Sequence, residues 1–475
     1  MRIKIGIVWF RHDLRLRDNQ ALTDACEQCD VILPVYIFDE RLYKEKTSNN
    51  FRQIGIFRTQ LILDAVNNLK KSLHEKNIDL VVRVGKAEEI IYEIANQVKS
   101  SWVYCNRERA PEEEEIQDKL EQKLWQIGQE LRFSRGKMLY HTGDLPFPVR
   151  HTPDTFAAFY REVGKIVPVR KPLPIPDKML PYMGNVESEP IPTLQALGFK
   201  DKEKPSEGFR FKGGESEALK KLDEFIKNNF KVSNLVSARK SKDEVLFTQL
   251  SPYINTGVLS PKTLYENINH FMGNKYHSQR ASNIIHGLMK RDFMKLLEKK
   301  YKNKVFETGG IKGIEQYDHL DRNEKFDAWV SAKTGIPIVD AYMRELNRTG
   351  FIDFEGRRIL SQFLIEELNI NWQLGAEYFQ SILVDYNPCS NWGNWNIVAG
   401  VAFDNKEDRY VSVISKSKKL DPHGKYIKTW LPELAEINEN YIHEPYKAKF
   451  EDLKSWQVEL GKTYPVPIVD VDKWE

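Results

Sequence analysis

The chain has 475 residues, a length that predicts two domains, each large enough to bury its own core. Hydrophobic residues make up 41% and charged residues 29%, and the net charge of +3 is too small to demand a nucleic-acid partner. No apolar run reaches the roughly 18 residues of a membrane-spanning helix, and no signal-peptide pattern precedes the first strand-like run. We therefore expect a cytoplasmic protein.

The first part of the chain alternates short apolar runs with longer amphipathic stretches. Strand-like runs lie at 3–10, 31–38, 79–84 and 101–104, and amphipathic stretches such as 57–76 and 86–99 separate them. Strands that alternate with helices predict a doubly wound parallel sheet. We assign residues 1–133 to one α/β domain.

Two of the four cysteines, Cys26 and Cys29, form a C-x-x-C motif inside a helical stretch. This spacing occurs in thiol redox pairs and in half of a zinc site. Because no second cysteine pair follows, we interpret both residues as structural and predict no metal site.

The composition and periodicity of the remaining sequence change twice. Prolines cluster at 146–148, 168–176 and 181–192, which predicts an extended, wrapping connector over residues 134–214. Helical periodicity dominates residues 215–475, which we assign to an all-α domain. Its predicted helices lie at 216–230, 261–272, 278–302, 336–348, 355–368 and 373–383.

Two stretches of the helical part carry candidate chemistry. Thr248 and Ser251 stand just before an apolar run, and hydroxyls with free backbone amides at a helix start can hold an anion. Further on, Asp385 lies six residues before Asn391, with tryptophans on either side of the pair. Polar groups that can grip one ring, next to oxidisable indoles, suit a redox cofactor.

These motifs resemble the photolyase/cryptochrome family. The run Pro-Cys-Ser-Asn-x-Gly-Asn-Trp at 388–395, the Asp-x-x-x-Asp-Arg-Tyr at 404–410 and the segment 141–163 look most like its DASH subgroup. The resemblance implies an N-terminal α/β domain and a helical domain that binds FAD. It also implies an antenna chromophore of folate or deazaflavin type in the α/β domain, where residues 104–115 resemble the family without identifying the antenna.

The resemblance assigns a set of residues to FAD. The 247–261 segment resembles the family's diphosphate motif, with Phe247 in place of its leading threonine. Arg357 and Asp385 would pair along the flavin edge, and the amide of Asn391 would face the flavin N5 atom. The full predicted cofactor set is Thr248, Gln249, Leu250, Ser251, His286, Arg291, Arg357, Asp385, Asn387 and Asn391.

The resemblance also implies an electron path and a changed substrate pocket. Trp395 and Trp372 match the inner two members of the family's tryptophan chain, whereas the outer one is not obvious and Tyr317 is the candidate terminal donor. Five positions that would bind a flipped pyrimidine dimer differ in chemical type from those of repair enzymes. These positions are Gly287, Lys290, Phe354, Glu355 and Ile397.

Three functions stay open on this evidence. The first is a blue-light photoreceptor with weak or lost dimer repair, and the second is a light-dependent DNA photolyase, with single-stranded DNA as one substrate. The third is a redox flavoprotein without a signalling role. The sequence predicts a monomer that has no membrane partner. The candidate partners are weakly bound DNA and an unidentified signalling protein.

Overall fold

The computed structural model describes residues 3–203, 205, 209–230, 249–272, 279–314, 319–403 and 412–471. They form two compact units. The first contains the described residues within Met1–Lys204, Phe211–Asn303 and Val384–Ser390, and the second those within Pro205–Arg210, Lys304–Leu383 and Asn391–Glu475. The boundaries that the sequence suggests at 133 and 214 stay predictions.

The first unit contains a five-stranded parallel sheet in the order β3-β2-β1-β4-β5. Its strands are β1 Ile5–Phe10, β2 Val31–Asp39, β3 Val81–Gly85, β4 Trp102–Asn106 and β5 Glu130–Ser134. The four predicted strands and the doubly wound α/β fold are confirmed. The prediction missed β5, an edge strand whose five residues include Glu130 and Arg132 and so show no continuous apolar run.

The sheet is held by an apolar core on which helices pack. Ile7 and Trp9 of β1, Val35 of β2 and Val103 of β4 join the buried residues of the flanking helices in one cluster. The chain order reverses between β1 and β4, and open parallel sheets bind ligands at such a point, beyond the carboxyl ends of the strands.

The first unit has helices at the predicted stretches 57–76, 86–99, 216–230, 261–272 and 278–302, and it also has a helix, Phe156–Val163, within the predicted extended connector. Its helices are Gln20–Gln28, Glu40–Lys44, Ile56–His74, Ala87–Val98, Pro111–Gln126, Phe156–Val163, Glu215–Phe230, Ser251–Asn255, Pro261–Met272 and Gln279–Tyr301. Cys26 and Cys29 lie at the end of the first of these, and both thiols are free.

The second unit is helical. Its helices are Glu324–Val330, Pro337–Thr349, Phe354–Gln362, Trp372–Ile382, Val413–Leu420, Lys425–Trp430 and Phe450–Ser455. The predicted helix at 355–368 continues beyond Gln362 as a π-helical stretch, Phe363–Glu367. The helix Pro388–Val398 begins in the first unit and ends in the second. Within the described ranges, no helix is both long enough and apolar enough to cross a membrane.

Candidate functional site

The predicted phosphate motif leads into the short helix Ser251–Asn255. Gln249 before it takes a left-handed backbone conformation with φ of 47°, which turns the chain into this helix. The Ser251 hydroxyl donates a hydrogen bond to Asp385 Oδ2 at 2.6 Å. The structure therefore brings the serine of the predicted diphosphate motif and the carboxylate of the predicted flavin edge together. Thr248 lies outside the described residues.

Asn255 connects three predicted site elements, although the sequence analysis did not select it. Its Nδ2 donates to the backbone oxygen of Asp385 at 2.6 Å, and its Oδ1 accepts from Arg291 Nε at 3.3 Å. The spacing in the sequence could have indicated Asn255, because it lies four residues after Ser251 and residues four apart on a helix share a face.

Arg291 brings a buried positive charge to this cluster. Its NH1 donates to the Lys137 backbone oxygen at 3.1 Å, and burial lowers its pKa below the usual arginine value. In the part of the chain that the structure describes, its NH2 nitrogen donates no hydrogen bond. A buried guanidinium with a free donor suits a phosphate group.

Arg58 is a second basic residue that the sequence analysis missed. It belongs to the helix Ile56–His74, and its guanidinium carbon lies 4.6 Å from the centre of the Tyr386 ring. Burial lowers the pKa of Arg58 to about 10, and its Nε is buried without a hydrogen-bond partner among the described residues. Arg58 thus holds the residue that follows Asp385 through a cation–π contact.

Two predicted cofactor residues have other local roles. Asn387 Oδ1 accepts a hydrogen bond from the Ser390 backbone N–H at 3.2 Å, which caps the start of the helix Pro388–Val398. His286 is exposed, and its ring packs against that of Tyr160 with 4.4 Å between the ring centres. Any cofactor role for His286 stays a prediction.

In the second unit, Arg357 lies on the first turn of the helix Phe354–Gln362, which Asp353 caps. Its Nε donates to the Ile352 backbone oxygen at 3.1 Å, and its guanidinium stands 5.6 Å from the centre of the Phe351 ring. The predicted pairing of Arg357 with Asp385 would join residues of different units and stays a prediction.

Asn391 and Trp395 approach the same part of one helix, Trp372–Ile382. Asn391 Nδ2 donates to the Ala376 backbone oxygen at 3.0 Å, and a β-carbon on Gly375 would collide with the Trp395 ring. Gly375 is therefore required for the close approach of this indole. Trp372 begins the same helix, one turn earlier, and its indole N–H donates to the Thr308 oxygen at 3.0 Å. Tyr317 lies outside the described residues.

The five substituted pocket positions lie in both units and are described separately. Gly287 is exposed on the helix Gln279–Tyr301, with open space where a β-carbon would stand, and Lys290 is half-buried one turn further on. Phe354 is 48% exposed, and the Glu355 carboxylate lies 3.6 Å from Arg358 NH1. Ile397 is half-buried.

The residues of the first unit fit FAD. Arg291 offers a buried guanidinium with an unused donor for the diphosphate, and the Ser251 hydroxyl donates to Asp385, a carboxylate only 4% exposed that suits the flavin edge. Such donors and charges bind an anionic dinucleotide and the polar edge of a flavin. An antenna chromophore in the α/β domain stays a prediction.

The chain is similar to known proteins over nearly its whole length. Residues 6–177 match the family described as DNA photolyase, and residues 284–475 match the FAD binding domain of DNA photolyase. The cryptochrome DASH of Gloeobacter violaceus is 33% identical over 99% of this chain and 94% of its own length. That of Danio rerio is 35% identical over 98% of this chain and 91% of its own.

Solved structures show the same fold. A Synechocystis cryptochrome superposes with a TM-score of 0.91 at 32% identity, covering 100% of this chain and 98% of that one. A class III photolyase from Agrobacterium tumefaciens superposes with a TM-score of 0.85 at 29% identity, covering 100% and 96%. The chain therefore belongs to the cryptochrome DASH/photolyase family of FAD-binding flavoproteins.

Proposed function

We propose that this protein is a blue-light photoreceptor whose FAD is reduced by electrons that pass through Trp372 and Trp395, and that its repair of pyrimidine dimers is weak or lost. The observation that carries the proposal is the approach of Asn391 and Trp395 to one helix. Asn391 binds Ala376, Trp395 covers Gly375, and Trp372 begins that helix. Trp395, an oxidisable indole, therefore lies one turn from Asn391, the amide assigned to the flavin ring, on the helix Pro388–Val398.

FAD, when bound and excited by blue light, supplies a one-electron oxidant. The protein supplies the donors and the polar surroundings. Indoles are among the most easily oxidised side chains, and the Trp372 N–H bond to the Thr308 oxygen places a negative carbonyl end beside the ring. The Asn391 amide can orient a ring nitrogen by a hydrogen bond but cannot give it an acidic proton, unlike a carboxylic acid.

The reduced repair follows from the substituted pocket positions. Gly287 offers no acceptor or proton donor, and neither Lys290 nor Ile397 offers a flat face for a flipped base. Glu355 carries a negative charge, which repels a phosphate backbone. Flipping a pyrimidine dimer out of DNA costs a few kcal/mol of lost base stacking, and contacts with these side chains offset little of that cost.

DNA photolyase activity is the second candidate, because a solved photolyase shares the fold over the whole chain. A flavoprotein with a redox role and no signalling is the third. For the first function, the partners that we propose are an unidentified signalling protein and weakly held DNA, with the protein acting as a monomer in the cytoplasm.

A light-driven repair assay separates the first two functions. The purified protein, with FAD reduced beforehand, is illuminated with dimer-containing single-stranded and duplex DNA, and dimer loss is measured. We expect no more than a small fraction of the rate of a photolyase run in parallel. Robust repair by the unmodified protein would instead establish photolyase activity.

A restoration experiment tests the reason for the loss. The double variant Gly287→Glu with Lys290→Trp adds a carboxyl group and a stacking face, and the open space at Gly287 accommodates the first change. We expect measurable binding of dimer-containing single-stranded DNA by this variant. The control is Lys290→Met alone, which removes the charge and adds no stacking face.

A further inference from the structure

The second unit contains a third indole next to the proposed path. The ring centres of Trp372 and Trp392 lie 5.6 Å apart with an angle of 79° between the planes. Trp392 in turn meets Phe306 at 5.0 Å. Trp392 and Trp395 are three residues apart on one helix, so they lie on one face of it, one turn apart. Both indoles contact the helix Trp372–Ile382, Trp392 at Trp372 and Trp395 at Gly375.

A second aromatic route leaves Trp395 in another direction. Its ring lies 5.2 Å from Phe379, and Phe379 stacks at 6.2 Å on Trp329. A phenyl ring is much harder to oxidise than an indole, so Phe379 would not hold the charge. Trp329 is fully buried, and its indole nitrogen has no hydrogen-bond partner in the described chain. A positive charge placed there would lack water and would have no hydrogen-bond acceptor at the indole nitrogen.

The surroundings of Trp372 and Trp392 are more polar. Trp372 donates its N–H to the Thr308 oxygen, and the Asn396 side chain lies beside Trp392 and donates to its backbone oxygen at 2.9 Å. Carbonyl and amide dipoles stabilise a positive charge in a partly dry site far better than hydrocarbon does. Trp392 also retains 6% of its surface exposed, whereas Trp329 retains none.

We infer that Trp392 is a third electron donor of this protein, which refills Trp372 after Trp372 has given an electron to Trp395. The inference rests on the proposed photoreduction. Each step moves one electron: Trp392 becomes oxidised as Trp372 returns to its neutral form. A thiol reductant in solution then returns one electron to Trp392. Trp392 thus takes the place of the outer member that the sequence did not supply.

The test compares four single variants, each loaded with FAD. Under blue light with a thiol reductant, the fall in flavin absorbance gives the photoreduction rate, and flash absorption gives the lifetime of the oxidised indole. We expect Trp392→Phe to slow photoreduction at least fivefold and to shorten that lifetime. Trp329→Phe and Trp125→Phe are the matched controls, one buried beside Phe379 and one 64% exposed in the first unit, and both should behave like the parent.

The fourth variant distinguishes electron transfer from packing. Trp392→Tyr keeps an oxidisable ring of similar shape to Phe, so its rate should lie clearly above that of Trp392→Phe. Equal rates for these two variants would mean that Trp392 acts only by packing and would overturn the inference. So would a slowing by Trp329→Phe that matches or exceeds that of Trp392→Phe.

A measurement on the flavin-free protein tests the contact between the Trp372 and Trp392 rings. Two indoles in edge-to-face contact couple their near-ultraviolet transitions, so the circular dichroism of the flavin-free protein should lose the same band in Trp392→Phe and in Trp372→Phe. Different lost bands would contradict the pairing of these rings.

The outcomes also separate the third-donor inference from the proposed function. If Trp395→Phe and Trp372→Phe slow photoreduction and Trp392→Phe does not, the third donor is wrong and the proposed function stands. If none of the three slows it, the proposed function fails.

Discussion

The Ser251 hydroxyl and the Asp385 carboxylate are 2.6 Å apart and hydrogen-bonded. They are 134 residues apart in the sequence, yet they join the start of a helix suited to phosphate with the carboxylate suited to a flavin edge. Asn255 strengthens this connection through the Asp385 backbone oxygen. The two parts of the predicted cofactor site are therefore held together by hydrogen bonds within the protein.

The first prediction concerns FAD retention. Asp385→Ala removes the carboxylate assigned to the flavin edge together with the acceptor of the Ser251 hydroxyl, and a hydrogen bond between a ligand and a charged group contributes about 1.5–3 kcal/mol. We expect FAD affinity to fall about tenfold or more, measured by the fluorescence of FAD released on dilution. Ser251→Ala should give a smaller loss, and Ser415→Ala, at an exposed helix position of the second unit, should give none. Unchanged FAD occupancy in Asp385→Ala would contradict the site.

The second prediction concerns the inner indoles. Trp395→Phe should slow blue-light reduction of the bound FAD at least tenfold, and Trp372→Phe at least fivefold, because each removes a ring that can be oxidised. Tyr317→Phe should have a weaker effect. Flavin absorbance under a thiol reductant measures all three rates. Parental rates in both tryptophan variants would place the electron path elsewhere.

The third prediction concerns pH and the buried carboxyl of Glu298. Its Oε2 bonds the Cys389 thiol, its Oε1 has no partner in the described ranges, and burial raises its pKa to about 7. In the unfolded chain a glutamate ionises near pH 4.3, so between these values only the unfolded state loses the proton. The stability that this group contributes is complete below about pH 4 and is lost as the pH rises through about 7.

Glu298→Gln cannot ionise and should remove this dependence. Between pH 5 and pH 8, the free energy of unfolding of the parent should fall relative to that of the variant by on the order of 2 kcal/mol. Urea titration at both pH values measures it. The exposed Glu451→Gln is the control and should follow the parent. A parallel pH profile for parent and Glu298→Gln would show that Glu298 is ionised in the folded protein.

The fourth prediction concerns the cysteines. Burial raises the pKa of Cys26 to about 12 and also raises that of Cys29, and Cys105 and Cys389 are almost fully buried. Because the thiolate is the reactive form, the native protein should react slowly with a disulfide reagent at pH 8, and all four thiols should react at once after unfolding. Rapid reaction of two thiols in the native protein would restore the redox interpretation of the C-x-x-C motif.

The amino-acid sequence by itself determined the kinds of element and their order. β-branched runs such as 31–38 predict strands because a short continuous apolar run is a local property of the chain. The motif at 388–395 likewise indicated the family and FAD, because its residue pattern is contiguous and can be recognised along the chain. Cys26 and Cys29 were correctly placed at a helix, since the apolar spacing around them is helical.

Only the tertiary structure decided which distant residues meet. The link of Ser251 and Asn255 to Asp385, the packing of Arg58 on Tyr386 and the pairing of Trp372 with Trp392 all join segments with no shared periodicity. Sequence patterns report which face of an element is buried, whereas partners depend on how the elements pack. The need for glycine at position 375 shows the difference, since it arises from the side chains of Trp395 and Leu364, which lie against that position.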